Sequence, residues 1–73
     1  MKLFAYQYKC RRCGEVITGA IGGLDPIKVL VGAILNRDFF PESGIKVTMT
    51  YIHAGCGGGY GIADLIGCAE EPQ

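Results

Sequence analysis

The sequence lacks a long uncharged apolar run, so no segment of it predicts a membrane-spanning helix. Asp25, Lys28, Arg37 and Asp38 interrupt its most hydrophobic region, whereas a membrane helix needs about 18 to 20 uncharged apolar residues. Residues 1–9 contain no apolar run of signal-peptide length and no small-residue cleavage site. We therefore expect a soluble protein in the reducing cytoplasm.

The sequence also lacks net charge. Seven lysines and arginines balance seven aspartates and glutamates, so the chain as a whole has no general attraction to nucleic acid. The distribution is uneven, because residues 1–37 hold six basic and two acidic residues and residues 38–73 hold one basic and five acidic residues. Any nucleic-acid binding must therefore use a local patch, for which Lys9, Arg11 and Arg12 are the candidates.

The chain is short. Its 73 residues predict one zinc-binding domain over residues 1–69 and a frayed acidic tail over residues 70–73. A core of this size is marginally stable unless a disulfide or a metal reinforces it. In a reducing location a Cys-x-x-Cys motif is more typical of a ligand pair or a redox pair than of a structural disulfide.

Two similar motifs dominate the sequence. Cys10 and Cys13 are followed by Gly14, and His53 and Cys56 are followed by Gly57. Two ligands three positions apart, with a glycine that permits a positive φ, are typical of a metal knuckle. We predict that Cys10, Cys13, His53 and Cys56 bind a structural zinc ion.

Two alternatives remain open at this stage. Cys68 could replace His53 and give an all-cysteine ligand set, since sulfur is a common fourth ligand and Cys68 follows Cys56 closely. The chain could also bind no metal and keep its thiols reduced and buried. The repeated spacing favours His53, and an imidazole ligand favours zinc over a rubredoxin-like iron.

The local patterns predict an α+β fold. Residues 3–9 and 15–21 are typical of two strands, and the first knuckle would be the turn of their hairpin, the basic unit of a zinc ribbon. Asp25 and Pro26 are typical of a helix start, and residues 27–37 carry apolar side chains on most sides. Residues 45–52 alternate between apolar and polar and predict a third strand.

The C-terminal part predicts a turn and a second helix. Residues 57–61 contain four glycines without the Lys-Ser or Lys-Thr of a phosphate loop, which indicates a turn that passes close to the metal or to other backbone. Residues 62–68 place three apolar side chains at helical spacing. The predicted fold is a small zinc-ribbon-like domain with a β-hairpin, a central apolar helix, a third strand and a short C-terminal helix.

An enzymatic function has little support in the sequence. A catalytic zinc keeps a position for water and a nearby general base, but four protein ligands leave no such position, and Glu15 is the only acid beside the first knuckle. A redox role for Cys10 and Cys13 would need a strand that enters a long helix directly after the motif. We therefore expect no enzymatic activity.

The run from Tyr6 to Gly14 resembles the start of FmdB-type zinc ribbons, which begin with Tyr-x-Tyr-x-Cys-x-x-Cys-Gly. The resemblance covers about the first fourteen residues and implies that Cys10 and Cys13 are metal ligands. The family places a second cysteine pair soon afterwards, whereas here 39 residues separate Cys13 from His53. Proteins of this kind are often regulators or assembly factors.

The sequence therefore predicts a zinc-stabilised interaction or regulatory module. It would bind a protein partner, or associate with itself, through the apolar helix or through an aromatic face formed by Phe4, Tyr6 and Tyr8. The alternative is a small nucleic-acid-binding regulator that uses Lys9, Arg11 and Arg12. Under that hypothesis the basic cluster binds phosphate; otherwise it offsets the negative charge of a zinc ion bound by three thiolates.

Overall fold

A single antiparallel sheet dominates the fold. The computed structural model describes residues 2–71, and this part of the chain forms four strands, one α-helix and one short 3-10 turn: β1 (Phe4–Cys10), β2 (Val16–Gly22), α1 (Pro26–Leu35), the 3-10 turn (Pro41–Ser43), β3 (Thr50–Cys56) and β4 (Gly59–Glu70). The strands lie in the order β2-β1-β4-β3. The protein is therefore mostly β, and the predicted α+β zinc-ribbon-like fold is wrong.

The predicted N-terminal hairpin is confirmed. β1 and β2 pair antiparallel from Phe4 opposite Gly22 to Lys9 opposite Val16. The first knuckle forms the turn between them, as the ligand spacing predicts. The inner face of β1 carries Tyr6 and Tyr8, which are almost fully buried.

The predicted helix start is also confirmed. Asp25 is the N-cap of α1, where its Oδ1 accepts a hydrogen bond of 3.0 Å from the backbone N–H of Ile27. The helix ends at Leu35, two residues before the predicted end, because Asn36 adopts a left-handed conformation with φ 54°. One side of α1 packs on the core through Val29 and Ala33, and its other side is exposed.

The predicted third strand is largely wrong. Residues 45–49 form no strand, and β3 begins only at Thr50. Val47 is buried in the core, as the alternation predicts, but it lines a narrow groove with Val29 and Gly32 of α1. This segment therefore packs against the helix, and its apolar alternation reflects contact with the helix instead of pairing in the sheet.

The predicted C-terminal helix is wrong. Residues 62–68 belong to β4, a strand of 12 residues that pairs with β1 on one side and β3 on the other. Its inner face carries Gly61 and Ala63, both buried. Two rows of strand pairing satisfy far more backbone groups than one short helix can, so the sheet overrides the helical spacing of the apolar residues.

The end of β4 includes part of the predicted acidic tail. Glu70 is the last residue of the strand, and the backbone N–H of Glu71 donates a hydrogen bond of 2.7 Å to the carbonyl oxygen of Leu3. Pro72 and Gln73, for which we also predict a frayed tail, lie outside the described residues. Within residues 2–71, no helix has the length and apolar character needed to cross a membrane.

Candidate metal centre

Four side chains from the two knuckles converge at one end of the sheet. The ligand atoms of Cys10, Cys13, His53 and Cys56 all lie within 4.8 Å of one another. The Sγ atoms of Cys10 and Cys56 are 3.7 Å apart, and Cys13 Sγ is 3.6 Å from His53 Nδ1. The structure thus brings together the four residues that the sequence predicts as metal ligands.

These distances fit a tetrahedral metal site. Zn–S bonds of about 2.3 Å and Zn–N bonds of about 2.0 Å place two tetrahedral sulfurs roughly 3.8 Å apart and a sulfur and a nitrogen roughly 3.5 Å apart. The observed separations of 3.7 and 3.6 Å agree with both values. The distance of 3.7 Å between the sulfurs of Cys10 and Cys56 is much too long for a disulfide, whose S–S bond is about 2.05 Å. The four residues can hold one metal ion.

The topology explains why two distant motifs meet. Each knuckle lies at the turn of a hairpin, β1–β2 for the first and β3–β4 for the second. β1 and β4 are antiparallel neighbours, with Cys10 opposite Ala63, so the end of β1 lies beside the start of β4. Both turns are therefore at the same end of the sheet.

The first knuckle is a tight turn closed by backbone hydrogen bonds. The N–H of Gly14 donates to the carbonyl oxygen of Cys10, and the N–H of Cys10 donates to the carbonyl oxygen of Glu15, both at 2.9 Å. Gly14 has φ 77°, the positive value that the trailing glycine predicts. The turn buries Cys10 and leaves Cys13 exposed.

Arg12 of the first knuckle forms a hydrogen bond with the second knuckle. Its Nη1 donates a hydrogen bond of 2.7 Å to the carbonyl oxygen of Cys56. His53 lies within β3, Cys56 ends that strand, and Gly57 follows with φ 55°. Arg12 therefore holds the two ligand pairs in a fixed relation, which the sequence alone does not predict.

Gly61 brings the backbone of β4 against the sulfurs. A Cβ atom at this position would lie 2.5 Å from Cys10 Sγ and 3.4 Å from Cys56 Sγ. No larger residue fits there without displacing a ligand sulfur. The prediction that the glycine-rich run passes close to the site is confirmed, although the sequence does not single out Gly61 among its neighbours.

The two buried thiols have opposite pKa shifts. A hydrogen bond from the backbone N–H of Cys13 is the main cause that lowers the pKa of Cys10 to about 6. The pKa of Cys56 is raised to about 11, first by its hydrogen bond with the Cys13 side chain and then by burial. The lowered pKa of Cys10 favours its thiolate form, which can bind a cation, whereas the raised pKa of Cys56 means that this thiol must lose a proton to the incoming metal.

Cys68 lies outside the cluster. It pairs with Tyr6 across β1 and β4 and is not among the four converging residues. The all-cysteine ligand set, in which Cys68 replaces His53, does not match this geometry. His53 instead turns its Nδ1 atom towards the sulfurs.

Glu15 lies against the other nitrogen of His53. Its Oε2 atom is 3.5 Å from His53 Nε2. A metal bound at Nδ1 requires the ring proton to be on Nε2, and this N–H can then donate a hydrogen bond to the Glu15 carboxylate. Carboxylates commonly orient metal-binding histidines in this way, so Glu15 is placed where it could position the His53 ring.

The Glu15→Gln variant should bind zinc about tenfold more weakly, because an amide is a poorer acceptor for the Nε2 proton than a carboxylate. A competition titration with a chromophoric chelator measures the affinity, and ¹⁵N NMR reports which ring nitrogen carries the proton. Glu70→Gln, at the far end of β4, is the matched control. Unchanged affinity together with an unchanged His53 spectrum would show that Glu15 does not position the ring.

The basic cluster is largely engaged within the protein. Arg11 forms two hydrogen bonds of 2.6 Å with Asp64, from Nε to Oδ2 and from Nη2 to Oδ1. These hydrogen bonds lower the pKa of Asp64. Arg12 contacts the second knuckle, and Lys9 lies opposite Asp64 in the sheet. Two of the three candidate phosphate-binding cations therefore already have partners in the fold.

No protein-family model, no curated protein and no solved structure matches the chain. The cluster of three cysteines and one histidine is compatible with a zinc-ribbon-like protein, but it does not assign a family.

Proposed function

We propose that the protein is a zinc-stabilised, non-enzymatic interaction module that binds a protein partner through the exposed side of α1. The observation that carries this proposal is the combination of a four-residue metal site with an uncovered apolar helix face. The module would act in a reducing compartment such as the cytoplasm, in which its cysteines stay reduced and the three in the cluster remain available for metal.

The donor set supports a structural zinc ion. Three cysteines and one histidine are a common ligand set of structural zinc, and four protein ligands complete its tetrahedron. No position then remains for a catalytic water. The bound metal would carry a formal charge of −1, because three thiolates outweigh the divalent cation. Arg12 lies beside the second knuckle and can offset part of that charge.

The aromatic face of β1 offers little surface to a partner. Tyr6 and Tyr8 belong to the buried core and Phe4 is partly buried, so burial argues against the aromatic alternative. The outer side of α1 is different, because Ile27 is 73% exposed and Val31 and Ile34 are exposed as well. A helix of this size that leaves three branched apolar side chains uncovered is typical of a protein contact.

A groove beside the helix indicates the chemistry of the partner. It has a volume of 400 Å³ and is lined by Ile27, Lys28, Val31, Phe39 and Phe40. An adjoining narrow groove adds Arg37, Lys46 and Asp38, and the carboxylate of Asp38 already accepts a hydrogen bond from the Phe40 backbone. Three cations around an apolar groove fit a segment with apolar anchors and flanking carboxylates.

A phage-displayed peptide library tests this proposal without knowledge of the natural partner. Selection on the zinc-loaded protein should enrich peptides that combine apolar residues with Asp or Glu. The Ile27→Glu variant should bind the selected peptides roughly tenfold or more weakly, because it puts a carboxylate at an apolar contact that faces acidic peptides.

Ile52→Glu, on the far side of the sheet, is the matched control and should keep peptide affinity. The proposal fails if no peptide is enriched, or if Ile27→Glu binds the selected peptides as tightly as the unmodified protein. Enriched peptides without acidic residues would refute the charge argument. Zinc content measured on each variant separates a loss of binding from a loss of fold.

A further inference from the structure

The β3–β4 hairpin forms a second uncovered surface, on the opposite side of the sheet from the core. Ile52 and Ile62 are directly opposite each other across β3 and β4, and Tyr60 lies opposite Ala54 on the same face. The exposed fractions of Ile52, Ile62 and Tyr60 are 68%, 51% and 76%. A shallow groove along this edge is lined by Thr50, Tyr51, Ile52 and Ile62.

β3 is an edge strand that is open at its centre. The sheet order leaves β3 with one neighbour, β4, so every second backbone N–H and C=O group along it points away from the sheet. The β3 sequence Thr-Tyr-Ile-His-Ala-Gly-Cys contains no lysine, no proline and no acidic residue, which are residues that commonly block such an edge. The two ends of the strand are protected, by a bulge at Gly55 and by hydrogen bonds that the carbonyl oxygens of Thr50 and Cys56 accept from Thr48 and Arg12. The open part of the edge is therefore its centre, around Ile52.

The lack of charged residues in the β3–β4 hairpin favours a second copy of this chain as the partner at this edge. Residues 47–63 contain no Asp, Glu, Lys or Arg. The first charge beyond them, Asp64, is neutralised by its two hydrogen bonds with Arg11. In a two-fold interface each residue near the axis meets its own copy, so a surface that pairs with itself must avoid charge. The uncharged hairpin meets this condition.

The groove beside α1 does not meet it, because it is lined by Lys28 and bordered by Arg37 and Lys46. A two-fold contact there would bring like charges together. The opposite edge strand, β2, is also uncharged, but its exposed large apolar side chains, Val16 and Ile21, lie near the ends of the strand and not at its centre.

From these observations we propose that β3 pairs antiparallel with β3 of a second copy, which joins the two sheets into one eight-stranded sheet. The smallest specific interfaces bury about 1,000 Å² in total, about 500 Å² from each chain. Such an interface would therefore cover only about a tenth of the 4902 Å² accessible surface of this chain. Ile52 would lie nearest the contact between the two copies, with Ile62 and Tyr60 of β4 beside it on the same face, away from the partner-binding groove of α1.

Sedimentation equilibrium of the zinc-loaded protein tests this proposal. The unmodified protein should form dimers at micromolar to millimolar concentration. Ile52→Lys puts two like charges beside the two-fold axis and should raise the dimer dissociation constant roughly tenfold or more. Ile27→Lys, an equally exposed substitution on α1, should leave the dimer intact. Hydrogen exchange gives a second measurement, because the outward-facing amides of β3 should lose protection on dilution.

Three outcomes would overturn the proposal. The first is a monomer at all concentrations, and the second is an open series of larger oligomers, which a closed two-fold contact does not produce. The third is a dimer that Ile27→Lys dissociates and Ile52→Lys does not, since this would place the contact on the helix. Zinc content and circular dichroism confirm that each variant is folded, so the result does not depend on the peptide-binding function.

Discussion

Replacement of Cys13 by serine should release the metal and unfold the protein. The apparent binding free energy of a structural zinc is about 10–16 kcal/mol at neutral pH, and the total stability of a small domain is about 5–15 kcal/mol. The fold should therefore depend on the metal. Removal of zinc with a chelator should have the same effect, because the metal would bind side chains of both knuckles at once.

Mass spectrometry under native conditions measures the metal content, and NMR before and after a chelator measures the fold. One zinc ion per chain and a collapse of the NMR spectrum on chelation are the expected results. Cys68→Ser is the matched control and should change little, since Cys68 lies outside the cluster. Equal and severe loss from both variants would contradict the ligand set, and an unchanged spectrum without metal would contradict the structural role.

The Gly61→Ala variant should damage the site without removing a ligand. The added Cβ would lie 2.5 Å from Cys10 Sγ, and β4 cannot move away because it pairs with strands on both sides. Overpacking of this kind destabilises a protein by about 1–3 kcal/mol, which corresponds to roughly a tenfold to hundredfold loss of zinc affinity when the strain falls on a ligand. Chelator competition measures the affinity.

Gly44→Ala separates this effect from a general loss of stability. Gly44 has φ 75°, ends the 3-10 turn and belongs to neither knuckle, and has open space where a Cβ would be. The variant should lose about 1 kcal/mol of stability from backbone strain and keep its zinc affinity. If Gly61→Ala bound zinc as tightly as the unmodified protein, the close approach of β4 to the sulfurs would not matter for the site.

The sequence predicts the cluster of four candidate ligands better than it predicts the fold. The ligand spacing and the glycine that follows each pair are local features, and so is the Asp25-Pro26 helix start. Local features of this kind can be read without knowledge of the tertiary structure. The similarity of the two ligand pairs alone predicts that they approach each other, and the positions of the four donors agree with this prediction.

The errors concern segments whose structure depends on distant partners. Ile62, Leu65 and Ile66 have helical spacing, yet they belong to a strand because β1 and β3 offer pairing on both sides. Gly67 also has φ 143° at the irregularity in the β1–β4 register, which a regular helix would not contain. Residues 45–49 show the opposite error, since a period-two pattern arises there from packing against α1. The local pattern does not identify the element that each segment packs against, which is β1 and β3 for residues 62–66 and α1 for residues 45–49.

The order of the strands constrains how the protein reaches its fold. β4 follows β3 in sequence but lies between β3 and β1 in the sheet. The β1–β2 hairpin can form early, because its two strands are adjacent in sequence. The β3–β4 hairpin can form separately, but neither hairpin completes the metal site alone. Docking of β4 on β1 is therefore the step that joins the two halves, and the same step brings the ligand pairs together. Folding of the sheet and capture of the metal should occur as one cooperative event.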